Sequence, residues 1–226
     1  MRGLVAKDLQ ILLMQKKVIF IIAAVSAIIG MGKENQMSFL ISYTTIIFVM
    51  LALGTISYDK LDNGFAFMFT LPITRKEYVK EKYILTTVIC LLAWAYGYAL
   101  GMGIMLVKGE TCNFVTETLG SVLMMMVFLI VGYVMLPIQI KYDAEKAKIF
   151  MFGIAGGVIV LGMMVGFVFT KFVSVRNYFS EVVNYFSKFS ENELLLILLI
   201  FVFLVVCITM VITYCISAKI LKNKQL

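Results

Sequence analysis

The sequence predicts an all-α integral membrane protein. Its expected parts are six transmembrane helices, an N-terminal interfacial helix, a short cytoplasmic helix, and outer amphipathic helices between spans five and six. Three observations predict this. Hydrophobic residues make up 62% of the 226 residues and charged ones only 15%, whereas a soluble domain carries about 25% charged residues. Uncharged apolar runs of helical length recur six times. The basic residues between those runs alternate between rich and poor stretches.

Residues 1–17 come first. Leu4, Val5, Leu9, Leu12 and Leu13 recur at helical spacing, while Lys7, Gln10 and Lys17 fall elsewhere. A helix lying in the headgroup layer fits this pattern. The alternative is a plain basic flank that only sets topology. The spans are expected at 18–32, 37–57, 83–107, 119–140, 149–170 and 194–217, none holding Asp, Glu, Lys or Arg. Span lengths of about 17–25 residues suit a bilayer core. The first run is short, and Lys16 and Lys17 can join it if their stems snorkel. A second span follows it almost at once, so a cleaved leader is not expected.

Lys and Arg set orientation. Fifteen of the 20 basic residues fall in 1–17, 58–82, 141–148 and 218–226; the other three loops hold five. Both termini are therefore expected in the cytoplasm of a multi-pass cell-membrane protein. The net charge of +7 is thus topological. Nucleic-acid binding is not expected, because the basic residues flank spans and do not gather on one domain face.

The loop after the second span reads Tyr58-Asp59-Lys60, then the turn signal Asp62-Asn63-Gly64, then Phe65 to Thr70. Leu71-Pro72-Ile73-Thr74 follows, and Thr74 with Glu77 three residues on makes a capping box. A short helix over 73–81 is expected, presenting Arg75, Lys76, Glu77 and Lys80 to the cytosol. Docking of a soluble partner and a merely solvated loop both fit. In 171–193, Phe172, Val175, Phe179, Val182, Val183, Phe186 and Phe189 share one helical face. That stripe predicts an amphipathic helix, or two short ones, in the outer leaflet.

Polar groups inside spans are candidates for a translocation path: Ser42, Tyr43 and Thr45 in the second, Thr87, Trp94 and Tyr98 in the third. Ser and Thr can instead bond back to their own helix. Gly97/Gly101 and Gly162/Gly166 form GxxxG pairs suited to close helix packing. Pro137 is expected to kink the fourth span.

The chemical inventory is thin. There is no histidine, which removes the commonest general base and metal ligand. Cys90, Cys112, Cys207 and Cys215 show no metal-ligand spacing, so no metal site is expected. No GxxxxGK[ST] loop is present, so no catalytic residues and no cofactor bound by this chain are expected. Any uphill transport must draw its energy from another chain.

At this point the sequence resembles the permease subunit of a type-2 ABC exporter, of the small six-span bacterial subclass that exports peptide antibiotics and amphipathic peptide toxins. Three features carry the resemblance. They are the 1–17 helix with Lys7-Asp8-Leu9, the stretch Leu71-Pro72-Ile73-Thr74-Arg75-Lys76-Glu77-Tyr78-Val79 followed by Lys82-Tyr83, and the amphipathic insertion before the last span. One departure stands out: many relatives carry an acidic residue directly after the second span followed by a Gly-Thr-type turn, and here that stretch holds Asp59 and Asp62-Asn63-Gly64. The resemblance implies that 73–81 is the coupling helix, with Leu71 to Tyr78 at the ATPase contact. It also implies an outer gate including Phe172, Phe179, Val182 and Phe186. Partners would be an ABC ATPase carrying ATP and Mg, and a second permease in a homodimer or heterodimer. The main competitor is a non-transport membrane protein serving as assembly factor or sensor for a cytosolic partner. An intramembrane lipid enzyme is a weaker third.

Overall fold

The computed structural model describes residues 2–32, 37–61, 64–70, 73–109, 113–142 and 190–223, with 146–147, 149–150, 153 and 156 in addition. Seven helices lie within them: α1 (Arg2–Met14), α2 (Lys16–Gly30), α3 (Met37–Lys60), α4 (Gly64–Met68), α5 (Arg75–Lys108), α6 (Phe114–Lys141) and α7 (Glu191–Asn223). Four of these, α3, α5, α6 and α7, are long and apolar enough to cross a membrane. The pair α1–α2, bent by 64°, adds a fifth if it counts as one span. The expected fifth span falls mostly, and the 171–193 helix wholly, outside the described residues.

The bend between α1 and α2 sits at Gln15, and α2 begins at Lys16. Helix α2 thus includes Lys16 and Lys17. Along α1 the buried residues are Leu4, Asp8 and Leu12, one per turn, while Leu9 and Leu13 are exposed. The protein-facing stripe therefore includes an acid, and the outward leucines are left for the bilayer.

The 73–81 helix is not separate from the third span. Nothing in Glu81-Lys82-Tyr83 breaks a helix, so α5 runs unbroken for 34 residues, about 51 Å at the helical rise. The hydrocarbon core is only ~30 Å thick. The uncharged run from Tyr83 to Val107 covers 25 residues, about 37 Å and enough to cross it, and the first two turns of α5 precede that run. At the far end Gly109 adopts φ +69° and caps the helix, a conformation that glycine takes without steric cost. Helix α6 continues through Pro137 to Lys141 without interruption.

Helix α3 packs against both α5 and α6, and α7 lies mainly on α6. Close approach of α3 and α5 depends on the first glycine pair. A Cβ on Gly97 would overlap Thr44 Oγ1 and stand 3.3 Å from Ile41 Cα; one on Gly101 would stand 3.0 Å from Met37 Cγ. The close packing expected of that pair is present. The cysteines Cys90, Cys207 and Cys215 are free thiols.

Most core side chains gather at one end: Leu4, Val49, Leu53, Ile56, Tyr78, Tyr83, Leu136, Ile140 and Leu221 belong to one cluster. Contacts show which chain ends share it. Lys7 pairs with Asp59, Lys60 donates to the Tyr142 carbonyl, and Arg75 donates to the Leu221 carbonyl. All four basic-rich stretches thus have residues at this end. At the opposite end Lys108 bonds the Gly32 carbonyl at 2.7 Å, and Thr116 bonds Asn192 at 3.0 Å. The chain therefore leaves α6 at the basic end and enters α7 at the other.

Candidate functional site

The basic end holds two connected features, a capped helix start and a buried ion-pair network beneath it. Thr74 takes an extended conformation and caps α5. Its Oγ1 accepts the Glu77 N–H at 3.2 Å, and its own N–H donates to Glu77 Oε2 at 2.9 Å. The Thr74 hydroxyl donates to the same oxygen at 2.8 Å. These bonds hold the Glu77 carboxyl below its ordinary range, as acceptance of hydrogen bonds by the charged form requires. Both halves of the expected capping box are formed.

Thr74→Ala removes one half of the box. The expected result is a loss of about 1 kcal/mol at the helix start, read as faster amide exchange over residues 75–78 with the rest of α5 unchanged. Glu77 gives the loss a pH signature. Its depressed folded-state pKa contributes stability above the ordinary carboxyl range, and that contribution fades as pH falls.

Arg75 does not simply point outward. Its Nη1 donates to the Leu221 and Lys222 carbonyls at 2.6 and 2.7 Å, and its guanidinium sits 5.8 Å from the centre of the Phe69 ring. Those carbonyls close α7, where helix ends lack intrahelical partners and carry partial negative charge. Arg75 thus ties the start of α5 to the end of α7. Lys76 and Lys80 are exposed, Ile73 and Glu77 half-buried, and Tyr78 buried. Leu71 and Pro72 lie outside the described residues.

Beneath this surface lies Lys82, only 1% exposed. Its ammonium donates to Asp8 Oδ2 and to Thr55 Oγ1, and lies 2.8 Å from Asp59 Oδ2. An ammonium has three donors, and these partners occupy all three. Asp59 also pairs with Lys7 and accepts the Tyr78 hydroxyl at 2.9 Å. Two lysines and two aspartates from α1, α3 and α5 therefore close one network, buried except at Lys7, whose side chain is 36% exposed. Glu81, also fully buried, lies against it with Lys82 Nζ 3.9 Å away. The acidic residue that closes this network after the second span is Asp59; Asp62 lies outside the described residues.

The network unites two of the three stretches that carried the resemblance, and a family model, "ABC-2 family transporter protein", matches residues 3–222. The chain belongs to that family. It is a permease subunit of an ABC transporter, embedded in a membrane, and the family implies an ABC ATPase as its partner. No curated protein matches the chain significantly.

The other candidate residues of this permease are placed as follows. Ser42, Thr45 and Thr87 bond back to the carbonyls of Ser38, Ile41 and Tyr83 at 2.7 Å each. Thr87 also meets the Tyr133 hydroxyl at 2.8 Å, Trp94 Nε1 donates to Ser121 at 3.3 Å, and Tyr98 meets Thr118 at 2.7 Å. The third-span candidates thus form a ladder from α5 to α6. Tyr43 is half-buried. Phe172, Phe179, Val182 and Phe186 lie outside the described residues.

Sequence reasoning quoted Lys7-Asp8 and Lys82 but gave them no joint role, and gave Glu81 none. One signal was available: Asp8 falls four residues after Leu4 and four before Leu12, on the apolar face of its helix. An acid there needs a cation from elsewhere.

Proposed function

We propose that the chain is the permease of an ATP-driven exporter that docks its ATPase on the start of α5. The carrying observation is the unbroken run of α5 from Arg75 to Lys108. A force applied at exposed Lys76 and Lys80 acts on a rigid rod whose lower part is the third span. The buried network transmits the same displacement to α1 and α3, and Arg75 transmits it to α7. ATP and Mg reside on the partner ATPase, whose closure moves segment 73–81.

The rest of the reading follows from this. Two permease copies, or two related permeases, enclose a path that includes Ser42, Tyr43, Thr45, Thr87, Trp94 and Tyr98. Phe172, Phe179, Val182 and Phe186 gate its outer end. Change of ends between α6 and α7 supports the six-span scheme with cytoplasmic termini in the cell membrane. The apolar, aromatic-rich chain suits an amphipathic or hydrophobic cargo, foremost a membrane-active peptide.

Charge reversal of both exposed lysines, Lys76→Glu with Lys80→Glu, tests the docking. Neither residue has a buried contact to lose, so thermal stability is expected to hold. Recovery of the ATPase with the purified permease is expected to fall roughly tenfold or more, since like charges at an interface suppress association. A variant that keeps its ATPase and its transport refutes the docking site.

A further inference from the structure

Four buried side-chain oxygens lack a hydrogen-bond partner among the described residues: Asp8 Oδ1, both Glu81 oxygens and Gln139 Oε1. Three of the four belong to Asp8 and Glu81, both of which lie against Lys82. Buried polar groups are ordinarily paired, and an unpaired one costs its full desolvation. The surroundings of Glu81 say what is missing.

Among the described residues, the charged groups about Glu81 are these. From α1 come Lys7 and Asp8; from its own helix, Lys82 and Tyr78; from α3, Asp59 acts through Lys82. The three donors of Lys82 are already committed to Asp8, Thr55 and Asp59. Tyr78 is committed to Asp59. Lys7 donates to Asp59 and stands 3.3 Å from Asp8. Two ammoniums already balance two aspartates, so an ionised Glu81 would be a surplus buried charge beside Asp8. The Asp8 and Glu81 carboxyls both lie against the Lys82 ammonium, Asp8 accepting from it and Glu81 Oε2 standing 3.9 Å away.

We infer that Glu81 is a proton-binding site: its carboxyl carries a proton and donates it to Asp8, clasping α1 to α5, and loss of that proton to water loosens the clasp. One hydrogen satisfies Asp8 Oδ1 and one Glu81 oxygen together and keeps the network neutral. Two carboxyls that share a site cannot both ionise easily. Burial pushes the Glu81 carboxyl up to about 7, against the pull of Lys82 and with the repulsion of Asp8 added. Glu81 precedes the uncharged run of α5 that begins at Tyr83, at the end of the bundle expected to face the cytosol. Cytosolic pH thereby sets the grip of the interfacial helix on the rod that meets the ATPase. The clasp itself does not depend on which cargo is moved.

The sign of the linkage is definite. A carboxyl with a raised folded-state pKa contributes stability in full below the ordinary value of 4.5, and loses it as pH rises through about 7. Between those values the folded chain holds one extra proton, so its unfolding constant grows about tenfold per pH unit. The test uses the purified full-length permease. Infrared difference spectra are expected to show a protonated carboxylic carbonyl band below the midpoint of about 7 that fades above it. Glu81→Gln, which keeps a donor toward Asp8, is expected to erase the band and flatten thermal stability against pH. Absence of the band, its survival in Glu81→Gln, or equal pH slopes in the two proteins would overturn the proposal. Should Glu81→Gln not be recovered folded, Asp8→Asn decides. Without the facing charge the band should fade at lower pH, and an unmoved band overturns the proposal equally.

Discussion

Lys82→Met is expected to unfold the basic end of this permease. The substitution keeps most of the side-chain volume and removes the ammonium. Asp8 and Asp59 are then left inside the bundle with only Lys7 to neutralise them, and Thr55 loses its donor. Removing one partner of a buried ion pair costs about 3–5 kcal/mol, because the remaining charge stays desolvated. Lys82 is 1% exposed, so water cannot move in without opening the joint between α1 and α5. The expected readout is a sharply lowered thermal midpoint with poor recovery of monodisperse protein. A second variant separates charge from shape. Combining Lys82→Met with Asp8→Asn removes the charge left behind, and should restore part of the loss, as coupled sites do in a double-mutant cycle. A Lys82→Met permease as stable as the parent would mean that the network carries no structural load. The same result would remove the proposed route from the ATPase contact to α1.

Four helices long and apolar enough to cross a membrane were legible from the sequence because the bilayer imposes a local rule. A helix in hydrocarbon must be uncharged over its whole crossing, and runs such as 37–57 and 119–140 show this without reference to any other part of the chain. The capping box was legible for the same reason, since Thr74 and Glu77 are three residues apart. The network was not. Asp8 stands 51 residues from Asp59 and 74 from Lys82, and Asp59 stands 23 from Lys82; only the packing of three helices brings them together. Charge counting for topology considers Lys and Arg alone, so it passed over the acids that these cations neutralise. It also assigned Lys7 and Lys82 to orientation, whereas the structure uses both as internal counter-ions. Arg75 was misplaced for a similar reason. A capped, charged helix start suggests a solvent-facing arginine, and nothing in residues 73–81 reveals that the last carbonyls of α7 stand beside it. Continuity of α5 was within reach, because no breaker separates Glu81 from Tyr83, but the change from charged to apolar residues there suggested a boundary.

Gly97→Ala should damage the bundle although it adds a single methyl. The new Cβ would overlap Thr44 Oγ1 and stand 3.3 Å from Ile41 Cα. The hydroxyl cannot simply rotate aside, because it already bonds the Leu40 and Ile41 carbonyls of its own helix at 3.0 Å each. The Ile41 contact is backbone, so relief requires α3 and α5 to move apart. Overpacking of this kind costs about 1–3 kcal/mol. Gly103→Ala on the same helix is the control: nothing lies within 4 Å of its Cβ. It should leave stability unchanged or raise it slightly, since alanine has less backbone entropy to lose than glycine. The two glycines therefore predict opposite signs for the same chemical change. Thr44→Ala deletes the overlapped hydroxyl and should recover part, but not all, of the Gly97→Ala loss, because the backbone contact remains. Thermal midpoints of the four proteins decide the matter, and equal effects at Gly97 and Gly103 would exclude a tight α3–α5 seam. The seam bears on transport as well as stability. Helix α5 can carry a displacement from Lys76 into the membrane only if α3 follows it. If the ATPase docks on 73–81 as proposed, a permease with the seam pried open should bind it normally and yet transport less per ATP hydrolysed.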